Sequence, residues 1–237
     1  MATSGSTFQS LIFLILHDFI LYYLPPADIF ALGRTNRDNY LVVEAYVKRF
    51  LDINRYLLPY FPDLDQFRSL QARCQFLVSG STVLQVFTRT RFSNPDLDLY
   101  VSLDFCDDLT AWLVSNGYGF QPTEWQPPSL VDALHEARSH DADFDAEYAA
   151  GDVQAVLNFF KPASADTHEH LKVQCVVVKT SPFAAILSFH SMSCLFPRAT
   201  TSTYRTLVFN PHGQLNALAK YVQRGYKLVE PPFPLSP

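Results

Sequence analysis

Apolar residues recur at three- and four-residue steps from Phe8 to about Phe61, and at two-residue steps in several short runs after Pro62. That change of period divides the chain into a helical beginning and a remainder of alternating strands and helices. The first helix is carried by Leu11, Leu14, Ile15, Phe19 and Tyr22 and is stopped at Pro25-Pro26. Its stretch from Leu11 to Leu24 is almost continuously apolar, but it is too short to span a bilayer and is interrupted by His17 and Asp18. No basic residue precedes it and no clean small-residue cleavage site follows, so a signal peptide does not fit either. A buried helix is expected. Pro26 suits the first turn of a second helix. A third is expected from Asn39 to about Leu58, with Leu41, Val42, Ala45, Tyr46 and Phe50 on one face, ended by Pro59 and Pro62. Residues 1–7 are small and polar, as at a frayed terminus.

Beyond Pro62, Gln75–Val78 reads as a short strand, Ser79-Gly80-Ser81 as a turn and Thr82–Phe87 as a helix. Pro95 breaks the chain before the alternating run Leu97–Val101. Asp104 or Asp107 is placed to cap a helix running through Trp112 to Asn116, with Gly117 at its end. The stretch from Tyr118 to Asp152 carries less signal: a helix at Ser129–Arg138 and an acidic run, Asp141–Glu147. Strands resume at Val153–Phe160 and Leu171–Lys179. A helix from Pro182 through Phe189, a strand at Thr203–Phe209 and a helix at Gln214–Arg224 complete the series. No internal repeat is present. The order predicts an α/β (α+β) fold, a mixed sheet with flanking helices over residues 70–228. A small helical module (1–62) precedes it and a Pro-rich tail (229–237) follows.

Composition narrows the function classes. With 237 residues, 48% hydrophobic and 17% charged, the chain can bury a substantial core. A net charge of −5 argues against a nucleic-acid-binding surface, and Arg89 with Arg91 is the only close basic pair near a candidate site. Cys74, Cys106, Cys175 and Cys194 form no CxxC pair and sit among apolar residues. They read as reduced core thiols, with a disulfide or metal site as the alternative, which implies an intracellular compartment, cytoplasmic or nuclear.

The chemistry-bearing residues are Gly80-Ser81, on a strand-to-helix turn, and Asp96-Leu97-Asp98, entering the next strand. Residues i and i+2 of a strand share a face, so Asp96 and Asp98 present two carboxylates side by side. Such a pair repels unless a cation neutralises it, and magnesium, which takes hard oxygen ligands, suits it. The amides opening the following helix favour a phosphate, and glycine at 80 allows close approach to the backbone. These are parts of metal-assisted phosphoryl or nucleotidyl transfer. The competing reading is turn chemistry: Asn94 and Asp96 favour turns, and Asp98 would serve as a cap or pair with Arg89 or Arg91. His168-Glu169-His170 could offer two zinc ligands but reads better as a solvated loop. His190 reads better as a satisfied, partly buried histidine than as a substrate contact.

Two resemblances extend these readings. Phe19 to Leu32, followed by Arg34-Thr35-Asn36-Arg37, resembles an F-box, although Ile15-Leu16-His17-Asp18 stands where that family has a Leu-Pro pair. The resemblance implies docking of residues 11–50 to the adaptor subunit of an SCF-type ubiquitin ligase; a plain helical cap on the next domain is the alternative. Val78-Ser79-Gly80-Ser81 with Asp96-Leu97-Asp98-Leu99-Tyr100-Val101 resembles the nucleotidyltransferase superfamily. It is similar in particular to a group of fungal proteins with later Ser-Phe-His-Ser and Lys-Tyr-x-x-Arg-Gly-Tyr/Trp segments, here 188–191 and 220–226. This resemblance covers roughly residues 73–228. It implies Mg2+ on Asp96 and Asp98, a nucleoside triphosphate at Gly80 and Ser81, and a third carboxylate on a later strand. The strand that should supply that acid, Leu171–Val178, has none, and Gln174 stands about where it is expected. Glu169 and Asp166 lie just upstream. A binding or adaptor protein with a degenerate site is therefore the leading expectation, and an active Mg-dependent nucleotidyltransferase using Asp96 and Asp98 is the alternative.

Overall fold

The computed structural model describes residues 16–89, 91–92, 95–139, 152–163, 170–187, 191–192, 205–208, 219 and 221–229. Expectations that fall on residues 1–15, Asn94, the acidic run, Asp166, the His168-Glu169 pair, residues 188–190, Cys194, most of the helix at 214–224 and the tail beyond 229 lie outside the described residues.

The chain opens with helix α1 (residues 16–23), α2 (Pro26–Leu32) and α3 (Arg37–Phe50). Pro26 holds the first position of α2, where its missing N–H costs nothing. Helix α3 starts two residues before the expected Asn39, because Asn36 caps it: the Asn39 backbone N–H donates to Asn36 Oδ1 (2.8 Å) and the Asn39 amide to Thr35 Oγ1 (2.7 Å). It also ends earlier than expected, at Phe50. Asp52 Oδ1 takes the Asn54 N–H at 2.9 Å and opens a separate short helix, α4 (Asn54–Leu57).

Leu21, Ile29, Val43 and Tyr46 close a small core among these helices. The expectation of a buried first helix is corrected here. Only Leu21 is enclosed, at 1% exposure, whereas Phe19 and Tyr23 are 61% and 69% exposed and Leu16, Ile20 and Tyr22 are also open. A helix with apolar residues around most of its circumference can press only one stripe onto a two-helix partner.

Helix α5 (Leu64–Cys74), capped by Asp63, precedes strand β1 (Leu77–Ser79) and helix α6 (Gly80–Thr88). Strand β2 (Leu97–Ser102) leads through a 3-10 turn (Leu103–Phe105) into α7 (Cys106–Ser115). The expected Asp104 or Asp107 cap is not formed: Phe105 occupies the cap position, and Asp107 pairs instead with Arg138. Then follow β3 (Gly119–Gln121), α8 (Leu130–Arg138), β4 (Val153–Lys161), β5 (Leu171–Val178) and α9 (Pro182–Leu187). The last described strands are β6 (Ser191–Met192), β7 (Arg205–Val208) and β8 (Lys227–Val229).

The first five strands form a mixed sheet of order β1-β2-β5-β4-β3, in which only β2 and β5 run parallel. One face carries Leu97, Leu99, Val101, Val173, Cys175, Val177, Leu157 and Phe159, packed with Phe61, Phe67, Leu109 and Leu113 into the main core. The other face buries Tyr100, Val176 and Val178 with Ala185 of α9. Cys74, Cys106 and Cys175 are buried free thiols, and burial pushes the pKa of the last two up. Strands β6, β7 and β8 make a second, small sheet. Among the described residues no helix is long and apolar enough to cross a membrane.

Candidate functional site

The second face of the five-stranded sheet is polar where α9 does not cover it. Register pairs align Ser79 with Asp98, Asp98 with Gln174, Gln174 with Asn158, and Asn158 with Gln121. Residues opposite each other across a ladder point the same way, so five strands contribute one continuous polar row. The Gln174 amide donates to Asn158 Oδ1 at 2.9 Å, which fixes both side chains. One step along the same face, Lys172 lies beside Asp96, and its ammonium is 2.8 Å from Asp96 Oδ2. The two side chains are 29% and 35% exposed, so the pair stands at the mouth of the row. Phe160, the register partner of Lys172, underlies that ammonium with its ring centroid 6.0 Å away.

Helix α6 brings its first turn to this row. Gly80 adopts φ +73, a left-handed conformation open to glycine at little cost, and an added Cβ would lie 1.7 Å from Asp98 Oδ2. The close approach that glycine permits is therefore made by the Asp98 carboxylate itself, set against the positive end of the helix. Ser81 does not line the row through its hydroxyl, which donates to the Asp96 carbonyl at 3.3 Å. Thr82 donates to the same oxygen at 2.9 Å, and the Tyr60 hydroxyl donates to the Pro95 carbonyl. Three hydroxyls thus hold the Pro95-Asp96 entry to β2 in place. No sequence pattern singled out Tyr60, Thr82 or Lys172. Lys172 was within reach, because it alternates with Gln174 on β5 as Asp96 does with Asp98 on β2.

The pairing of Asp98 with Arg89 or Arg91 is not formed in the case of Arg89. That residue ends α6 at φ 56 and turns its guanidinium onto the C-terminus of α1. It donates to the carbonyls of Leu21 (3.0 Å), Tyr22 (3.0 Å) and Leu24 (2.7 Å) and to the Tyr46 hydroxyl (3.0 Å). Carbonyls left over at a helix end are natural acceptors for a cation. One helix thus touches the polar row with its first residue and the N-terminal module just past its last.

The donor set does not fit a pair of divalent ions. Asp96 is already countered by Lys172, and the position in register with Asp98 carries an amide rather than an acid. Among the described residues no group of three or more His, Cys, Asp and Glu side chains is arranged to hold a metal ion. No family model, no curated protein and no solved structure matches this chain. What the row can do is read from its own atoms: two acids, one lysine and a run of amides offer hydrogen bonds and little net charge.

Proposed function

We propose that this chain is a binding or adaptor protein whose nucleotidyltransferase-like sheet retains a polar ligand pocket without catalysis. The observation that carries this reading is Gln174 in register with Asp98. Two-metal phosphoryl transfer needs carboxylates enough to hold both ions. An amide oxygen can ligate but brings no charge, so Gln174 leaves the set short. Asp98 beside Gly80, with the Gln174 and Asn158 amides next to it, remains as a partly open row that can offer hydrogen bonds to a polar ligand.

Calorimetric titration with ATP or GTP plus magnesium, in parallel with a pyrophosphate assay, tests this. The expected result is binding heat in the wild type, its loss in Asp98→Ala, and no pyrophosphate release in either. Absence of heat in the wild type would leave Asp96 and Asp98 as structural acids only. Pyrophosphate release that depends on Asp98 would instead establish the active magnesium enzyme.

The N-terminal helices support a second part of the same proposal, docking to the adaptor subunit of an SCF-type ubiquitin ligase. The support is the F-box-like run Phe19–Arg37 together with the apolar residues that α1 leaves open. Co-purification with that subunit is expected for the wild type and at least about tenfold weaker for Phe19→Asp, since a charge replaces a ring in an apolar contact. A wild-type chain that recovers none, beside an F-box control that does, removes this part.

A further inference from the structure

We infer that Lys172 is the resident counter-cation of the polar row and, with Gln174, is what keeps divalent metal ions out of it. The inference rests on reading the row as a non-catalytic pocket and goes on to name the residues that set its ligand selectivity.

The parallel register of β2 and β5 places two residues of β5 against two acids. Gln174 faces Asp98 directly, and Lys172 reaches Asp96 one step earlier on the same face. The lysine is not a loose surface charge. It is spaced from Gln174 by the pleat, and Phe160 of β4 lies under its ammonium. Asp96 is equally constrained, because Ser81, Thr82 and Tyr60 hold the backbone on which it stands. An incoming dication therefore meets a preformed, electrically neutral pair and one further carboxylate, Asp98. Adjacent to that carboxylate it finds an amide. A hard dication offered one carboxylate and neutral oxygens keeps most of its water and binds weakly.

Reversing the two residues should reverse the selectivity. Removing Lys172 frees Asp96. An acid at 174 would stand on the strand next to Asp98, about 4.8 Å away across the ladder, a separation one ion can bridge. The row would then present three carboxylates and no ammonium on a backbone that is already fixed.

The test is a titration with Mn2+ alone, with free ion read by electron paramagnetic resonance and thermal unfolding followed on the same samples. The chains compared are the wild type, Lys172→Ala/Gln174→Asp and Lys172→Met/Gln174→Asp. The methionine version keeps the apolar stem over Phe160 should alanine leave the strand poorly packed. Both double variants are expected to bind Mn2+ at least about tenfold more tightly than the wild type. Their melting temperature should rise with the ion and fall back with EDTA, and adding Asp98→Ala should abolish the gain. The inference is overturned if the wild type itself takes up Mn2+ in a manner lost on Asp98→Ala. It is overturned equally if the folded double variants, checked by circular dichroism, bind no more tightly than the wild type. A wild type that gives no heat with nucleotide would defeat the pocket and leave this metal titration as it stands; a metal-binding wild type would do the opposite.

Discussion

Leu99, Cys175 and Leu157 stand in one register row on one face of the central sheet, each of them buried. One residue away, on the other face, the row is Ser79, Asp98, Gln174, Asn158 and Gln121. The same strands make both rows, and the pleat alone separates them. Helices α5, α7 and α8 close the first face with apolar side chains, so that Leu97, Leu99, Val101, Val173, Cys175, Val177, Leu157 and Phe159 are sealed there. On the second face α9 reaches Tyr100, Val176 and Val178 and stops, leaving the neighbouring row partly open. The difference teaches that the candidate site is a gap in helix cover. The strand sequence anticipates that gap by switching from Val and Tyr to Asp, Gln and Asn where the cover ends.

The strongest way to break this comparison is to truncate one residue on each face. Leu99→Ala removes a fully buried side chain from the main core and should cost about 2–5 kcal/mol, through lost transfer energy and the cavity left behind. Asp98→Ala, the adjacent residue, should cost about 1 kcal/mol or less, the scale of a carboxylate near a helix N-terminus. Urea unfolding of both variants, compared by midpoint at constant slope, decides it. Equal losses would mean that Asp98 is a core residue in disguise and that the polar row is not a surface.

How far the sequence reveals these two faces depends on which contacts set each feature. Leu97–Val101 alternates plainly, so β2 and the sharing of a face by Asp96 and Asp98 are local properties and legible. Gly80 is likewise legible as a place of close approach to the backbone, but the sequence does not show that the Asp98 carboxylate is what approaches it. The partner of Asp96 is not local. Finding Lys172 requires knowing that β2 and β5 are neighbours, parallel and in a given register, and that information lies 76 residues along the chain. Arg89 illustrates the same limit. In sequence it is a basic residue near two acids, whereas in the fold it caps α1, 65 to 68 residues away. Helix α5 escapes notice for a different reason: after Pro62 its apolar positions Phe67 and Leu70 are diluted among Asp, Gln, Arg and Ser, and only packing on Phe61 and Trp112 declares which side is inward. The exposure of α1 is a matter of how much partner surface exists to cover it, which no single helix encodes.

A finer probe of the same comparison is Gly80→Ala, at the contact between α6 and the polar row. Two costs are expected to add. At φ +73 an L-residue is strained by roughly 1–2 kcal/mol whatever surrounds it. The new methyl group would also occupy the place of Asp98 Oδ2, 1.7 Å from its ideal position, so the carboxylate must swing away from the helix tip. Together these should destabilise the chain by about 2–3 kcal/mol. In the Asp98→Ala background the second cost shrinks, because only the side-chain stub at 98 remains, with its Cβ 3.2 Å away. The cost of Gly80→Ala there should fall to about 1–2 kcal/mol, the strain alone. The double-mutant cycle from urea midpoints thus reads the coupling between Gly80 and Asp98 directly. A coupling of zero would mean that Asp98 relaxes away from the helix at no cost. The carboxylate would then not be fixed against α6, and the polar row would lose the acid that faces Gln174 across the ladder.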